Sequence, residues 1–341
     1  MELRCLPLDL SLRYPFRIAR HIYPSQPILV VALSQNGVIG YGEATYNPYY
    51  GTDVQALETL INGLAGRLQG YTFSQPDGLM EYLSDELAGH SFAAAAINNA
   101  AWDLYGKLKR KPVSVLAGIG GHNTVLTSYT LGIDTIDAMV AKMREFPWPV
   151  YKIKLGAAND MEIMRALRQE TDSLLRVDAN GAWTSLQALD YAEQLAQLDV
   201  EFIEQPLPAT DWKGMALVRE ESVIPVIADE SCLSEKDIHR CSAHFHGINI
   251  KLLKCGGLSA ALRMVQKARE FGLKVMVGCM TESTIGISAA AHLLPLVDFA
   301  DLDGPLLLAE DLAEGVEYRE GRLIRLGGIG LGFTLNKNIA L

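Results

Sequence analysis

From Val125 onward the chain alternates short apolar, β-branched runs with stretches whose apolar residues recur at helical spacing. VLTSYTLG, VYKIKLG, LLRVDANG, VEFIEQPL, PVIADES, GINIKLLKCGG, KVMVGCM and DFADLDGP each read as a short buried strand that stops at a polar or glycine signal. Between them lie helical patterns such as Leu186, Leu189, Ala192, Leu195 and Leu198, with Thr184 or Ser185 as the N-cap. This alternation calls for a parallel sheet, and eight strands joined by right-handed crossovers close into a barrel. An open doubly wound sheet is the competing architecture, but it would not gather side chains from six strand ends around one centre, as a barrel does.

The 341 residues exceed the roughly 250 of a bare barrel, so an additional module is expected. Residues 1–122 supply it. LRCLPLDLSLRYPFRIA, PILVVALSQNG and VIGYGEATY read as three antiparallel strands, with Gln35, Asn36 and Gly37 forming the second hairpin turn. Three helices follow, ending in the alanine-rich stretch from Phe92 to Lys109. The fold expected is α/β: a modified (β/α)7β TIM-type barrel over residues 123–305, with an α+β capping domain over 1–122 onto which the glycine-rich tail, 306–341, packs back.

Polar chemistry is placed at the strand ends. Lys152 and Lys154, Asp178, Glu204, Asp229, Lys251, then Asp301 and Asp303 each follow an apolar run, and from Lys154 to Lys251 the intervals are 24, 26, 25 and 22 residues. One strand, one helix and two loops occupy about that length. Any single acid there could cap the next helix, but three in regular series point to a shared centre. Asp178, Glu204 and Asp229 offer only oxygen, the set preferred by hard divalent cations, and Mg²⁺ fits best. Asn180 and Glu230 are placed to orient these carboxylates or pair with a lysine.

Residues two apart on a strand share a face, so Lys152 and Lys154 both point into the barrel if either does. Burying two ammonium groups has no structural use, and their mutual repulsion, with a metal nearby, is expected to lower an amine's pKa into the range of a base. Lys251 meets the same centre from the other side of the ring. A lysine on each face of a metal-bound carboxylate can remove an α-proton from one side and return it on the other, the metal stabilising the enediolate.

Charge and cysteine content exclude other classes. A net charge of −10 speaks against nucleic acid or an anionic membrane as partner. MELRCLPLDL lacks the charged and apolar regions of a signal peptide, no apolar run reaches membrane-spanning length, and the expected location is the cytoplasm. Five cysteines, without zinc-type spacing, argue against a disulfide framework or structural zinc.

The set YKIKLG, RVDANG, FIEQPLP, IADES and NIKLLKCGG, with GYGEA near the N-terminus, resembles the muconate lactonizing subgroup of the enolase superfamily over nearly the whole chain. The resemblance implies that Asp178, Glu204 and Asp229 bind Mg²⁺, that Lys154 and Lys251 are the acid/base pair, and that Lys152 supports Lys154 electrostatically. Asp301-Leu302-Asp303 at the last strand, and GCMTESTIGISAAAH before it, resemble the dipeptide epimerase branch, in which such acids hold the substrate's α-ammonium while its carboxylate meets the metal. Assembly into homo-oligomers is common in similar proteins and is expected here.

In that branch selectivity comes from capping loops, here Phe16 to Gln26 and Tyr46 to Asp53. Where Ala-Glu epimerases carry an arginine in the first loop this chain has His21, with Arg20 one residue earlier. With Tyr49 and Cys279 as further cavity candidates, the lean is toward small or apolar dipeptides, Ala-Glu remaining open. An N-acylamino acid racemase, an o-succinylbenzoate synthase or a muconate-type cycloisomerase would use the same lysines and metal but offers no ammonium for Asp301 and Asp303. A lysine Schiff-base aldolase would not need the three carboxylates, and a silent binding protein would not need the lysines.

Overall fold

A computed structural model describes residues 1–18, 21–121, 125–325 and 327–336, without the side chains of residues 16–18 and 21–23. Three antiparallel strands, β1 (Glu2–Ile18), β2 (His21–Gln35) and β3 (Val38–Thr45), form the N-terminal sheet. Gln35 pairs with Val38 around Asn36 (φ 54°) and Gly37 (φ 75°), the left-handed pair of a type I′ turn that the sequence specifies. At the other hairpin, strand pairing replaces most of the loop expected from Phe16 to Gln26: Ile18 pairs with His21 and Phe16 with Tyr23. Pro15 and Pro24 fall where the register shifts, between Ser11 and Phe16, so neither interrupts a regular ladder.

The helices Val54–Gly63, Pro76–Tyr82 and Ser91–Lys109, with one-turn pieces at Ala65–Leu68 and Val113–Leu116, cover this sheet. The alanine-rich Ser91–Lys109 helix lies so close to β3 that a Cβ at Gly42 would fall 2.1 Å from the Ala96 carbonyl oxygen. The absence of a side chain is what permits the contact.

The barrel strands follow in chain order: β4 (Tyr129–Leu131), β5 (Val150–Lys154), β6 (Leu174–Asp178), β7 (Val200–Glu204), β8 (Val226–Ala228), β9 (Gly247–Lys251), β10 (Lys274–Gly278) and β11 (Phe299–Asp301). They form one parallel sheet in that order, and Thr127 and Ser128, just before β4, close the ring on Ala300 and Leu302. Parallel register sets Lys154 beside Asp178 and Asp178 beside Glu204, so three side chains of the centre share one level. At the lower end Arg176 fills the interior between the rings of Phe202 and Phe299 and pairs with Glu201.

Thr184 caps the Ser185–Ala196 helix through a capping box with Gln187. Its buried stripe is Ala188, Ala192 and Leu195; Leu186, expected inside, is 76% exposed because it lies a half-turn away from that stripe. The Leu258–Glu270 helix begins at Gly257 and has no side-chain cap of its own; Asn99 and Asn98 of the Ser91–Lys109 helix accept hydrogen bonds from the Leu258 and Ser259 amides at 3.1 and 3.0 Å.

The tail contacts both halves. Ala309 bonds Ser11 and Gly330 bonds Lys111 and Val113, while Gly321 accepts from the Thr127 amide and Tyr318 Oη donates to Leu302. No described helix is long and apolar enough to cross a membrane.

Candidate active site

The C-terminal ends of the barrel strands open into a cavity of about 320 Å³ beneath the N-terminal module. Lys154 and Lys251 line it, with Asp229, Asp301 and Asp303, and the 48–50 turn roofs it. Asp178, Glu204 and Asp229 lie at its base, buried, each with a carboxylate oxygen within 4.8 Å of the others'. None of the three caps the helix that follows; Thr184 and Asp211 do that after β6 and β7.

The lysines are distributed among these acids. Lys154 Nζ donates to Asp178 Oδ2 at 2.6 Å, and Lys251 Nζ to Asp229 Oδ2 at 2.7 Å. Lys152 Nζ meets three carboxylates, Asp178 at 3.0 Å, Glu204 at 2.8 Å and Asp301 at 2.8 Å. Burial pushes Asp178 up, but Lys154 and Lys152 overcome it and hold the carboxyl at about 2. Asp229 is held well below its ordinary value by Lys251 and Lys254 against the same burial. Glu204, buried beside the Asp178 charge, is pushed up to about 7.

Against the charges of the chain itself, Lys152 and Lys251 are raised rather than lowered. Burial favours neutral Lys152 and Lys251, but Asp301 and Glu204 hold Lys152 well above its ordinary value, and Asp229 raises Lys251 likewise. Carboxylates at contact distance outweigh repulsion between lysines.

Asp178, Glu204 and Asp229 fit one hard divalent cation. All their ligand atoms are oxygen, and Glu204 Oε2 lies 2.8 Å from Lys152 yet receives no directed hydrogen bond, so a lone pair remains for a metal. Asn249 Nδ2 fixes the other oxygen, Oε1, at 2.8 Å.

Residues 1–118 match the family described as mandelate racemase / muconate lactonizing enzyme, N-terminal domain, and residues 135–339 match the enolase C-terminal domain-like family. The chain belongs to the enolase superfamily. A superfamily relative named L-Ala-D/L-amino acid epimerase, from a Maribacter species, is 47% identical over 99% of this chain and all of its own length. A hydrophobic dipeptide epimerase from Roseobacter litoralis is 34% identical over 96% of this chain and 97% of its own. Among solved structures, the dipeptide epimerase of Cytophaga hutchinsonii, complexed with Mg and the dipeptide D-Ala-L-Val, superposes with a TM-score of 0.93 at 26% identity, covering 99% of this chain and 97% of that one.

Other residues of this enolase-superfamily site are placed as follows. The Asn180 amide donates to Asp178 Oδ1 at 2.9 Å, and its side chain reaches Glu230 at 3.3 Å, joining the loops after β6 and β8. Asp303 stands at the N-cap of Gly304–Leu307, but its carboxylate instead accepts the Thr130 amide of the neighbouring β4 at 2.6 Å. Burial and the neighbouring Asp301 push Asp303 up to about 7. Cys279 lines the cavity with its thiol pushed well above the ordinary value by burial and by Asp303. Arg20 lies outside the described residues, as does the side chain of His21, whose backbone pairs in the hairpin.

Tyr49 lines the mouth and is 45% exposed, whereas Tyr50, not singled out in the sequence, turns inward against Phe92. The Tyr50 hydroxyl is raised by burial and by the Asp229 and Glu230 charges. Gln205 was also missed: its Oε1 accepts the Asp229 and Ser231 amides at 3.0 and 3.1 Å, holding the loop after β8. A glutamine directly after a strand-end acid is its one signal in the sequence. Lys254 was likewise unassigned; only its distance from Lys251, one helical turn, hinted at a shared centre.

Proposed function

We propose that the chain is a Mg²⁺-dependent dipeptide epimerase that inverts the α-carbon of the C-terminal residue by 1,1-proton transfer. The observation that carries this reading is the opposition of Lys154 and Lys251. They stand on β5 and β9, four strands apart in a ring of eight, and each is held by a different carboxylate of the acidic cluster. An α-carbon placed between them is met by one amine on each face. One lysine, neutral, takes the proton; the other, protonated, gives one back on the opposite face, and their roles exchange for the other epimer.

Asp178, Glu204 and Asp229 would hold the Mg²⁺, which when bound supplies positive charge against the developing enediolate. Lys152 anchors Asp178 and Glu204, and Asn180 and Glu230 fix the loops beside them. Asp303, with Asp301 behind it, would take the dipeptide's α-ammonium. This last contact separates the reading from N-acylamino acid racemases and cycloisomerases, whose substrates carry no ammonium. Tyr46, Pro48, Tyr50, Met280 and Leu307 give the cavity an apolar lining. That lining and the names of its relatives support small or apolar dipeptides, with alanine first. A cytoplasmic setting, in keeping with five free cysteines, and self-association complete the proposal.

The test is mass spectrometry of pooled L,L-dipeptides, Ala-Glu included, incubated with protein and Mg²⁺ in D₂O. Each substrate should gain one mass unit as it inverts. Incorporation into an N-acylamino acid but no dipeptide would overturn the reading.

A further inference from the structure

Lys254 is the fourth buried lysine of the centre, and the proton-transfer scheme gives it nothing to do. It sits on the one-turn helix Leu252–Cys255 after β9, and Gly256 ends that turn in a left-handed conformation at φ 94°. The residue is 4% exposed, and its ammonium meets four acceptors: Asp229 Oδ1 and the Asp229 carbonyl, both at 2.6 Å, and the carbonyls of Cys232 and Asn249, both at 3.0 Å. Three of these are backbone oxygens, two in the 229–232 loop after β8 and one, Asn249, in the middle of β9. An ammonium has only three hydrogens, so this one is saturated and fixed.

Lys251 differs in kind. Its bond is to Asp229 Oδ2, a side-chain oxygen, so it can exchange that partner without disturbing the backbone. Two lysines thus hold the two oxygens of one carboxylate, one tied to backbone and one to the side chain alone. Packing alone does not explain Lys254, since an apolar side chain of similar length would fill the space without the desolvation of a charge.

We propose that Lys254 is a positioning residue for the metal-ligand carboxylate: it pins Asp229 Oδ1 and the 229–232 loop to the backbone of β9 at Asn249, so that Oδ2 alone turns toward the centre. This rests on the reading of Asp178, Glu204 and Asp229 as the Mg²⁺ site. Two effects of removing Lys254 have opposite signs. Loss of a positive charge beside a cation would by itself tighten Mg²⁺ binding, whereas loss of the pin would weaken it.

Calorimetric titration of the metal-free protein with Mg²⁺ separates them. Lys254→Gln, with fold checked by circular dichroism, should bind Mg²⁺ at least tenfold more weakly than the unaltered chain. Equal or tighter binding overturns the proposal. Lys254→Arg retains charge and donors to support folding, but a planar guanidinium cannot aim one nitrogen at four converging oxygens, so it should lose at least threefold. Unaltered affinity in the arginine variant overturns the proposal whether or not the glutamine variant folds. If the unaltered chain itself binds no Mg²⁺, the metal reading fails and this inference falls with it; a bound metal with indifferent variants refutes the role of Lys254 alone.

Discussion

Lys152 and Asp301 meet at 2.8 Å in the cavity wall, joining β5 to β11 past the intervening β4. Asp301 is therefore shared between a structural ion pair and the cavity, while Asp303, bonded to the Thr130 amide, has no such lysine contact among the described residues. The two acids should separate on substitution. Asp303→Asn is expected to raise KM for a dipeptide about 10- to 100-fold, the loss of one charge-assisted contact worth about 1.5–3 kcal/mol, with little change in melting temperature. Asp301→Asn should lower stability by about 1–3 kcal/mol, since Lys152 keeps two other carboxylates. Steady-state kinetics and thermal melts measure both, and equal effects of the two variants on KM and on stability would refute the division.

The opposed amines make a stereochemical prediction. Lys154→Ala and Lys251→Ala should each reduce epimerisation by about 10²–10⁴-fold or more, the usual contribution of a positioned acid or base. Each variant should still exchange the α-proton of one epimer with D₂O, and the two should favour opposite epimers. Proton NMR of L,L- and L,D-dipeptides gives the answer; normal turnover by either variant rules out two-base transfer.

Lys152 offsets the charge of three buried acids, so its loss should be severe where no metal replaces it. Lys152→Met is expected to lose about 3–5 kcal/mol of stability in EDTA. Mg²⁺ should restore part of this, since a ligand at 100 times its Kd adds about 2.7 kcal/mol to any folded state that binds it. Melting curves with EDTA and with Mg²⁺ make the comparison. A variant whose deficit is the same in both conditions would show that Lys152 does not act through the acids proposed to hold the metal.

A second acidic pair lies between the N-terminal module and the barrel. Glu43 of β3 accepts from the amide and hydroxyl of Ser283, and Glu282 accepts from the Met280 amide. Burial pushes Glu43 up to about 7 and, with the Glu43 charge, Glu282 to about 8. Asp311 and Lys251 are the other charges facing them. The folded state thus keeps these protons after the unfolded chain has released them, so their contribution to stability is complete below about 4.5 and is lost as pH rises through 7 and 8. Melting temperature should fall from pH 5 to 9, and Glu282→Gln, neutral throughout, should flatten the slope. An unchanged slope in that variant would be evidence against the assignment.

The barrel strands were legible because a parallel sheet covered on both faces requires apolar residues at consecutive positions, and each run here ends in the polar group that faces the centre. VLTSYTLG was readable as a strand, but only Tyr129–Leu131 pairs regularly, because Thr127 and Ser128 turn their bonds to β11. What could not be read depends on contacts distant in sequence. Lys254 finds its carboxylate 25 residues away, and apart from its nearness to Lys251 it reads as a surface lysine on a helical turn. Tyr49 and Tyr50 are indistinguishable in sequence until the 3₁₀ turn Pro48–Tyr50 sends one outward and the other in. The raised amines escaped for the same reason, since lysine pairs two apart suggest repulsion while the balancing acids come from other strands.

Asn98 and Asn99 give the borrowed cap of the Leu258–Glu270 helix a wider meaning. The strand bearing Lys251 leads through the one-turn helix Leu252–Cys255 into that helix, so the chain that follows one proposed proton carrier is anchored by side chains from the other half of the molecule. Cover and barrel are consequently not interchangeable cassettes. A chimera that transplants a foreign lid to change substrate choice must carry the asparagine pair with it, or leave two amides unsatisfied at the start of the helix that follows the Lys251 strand.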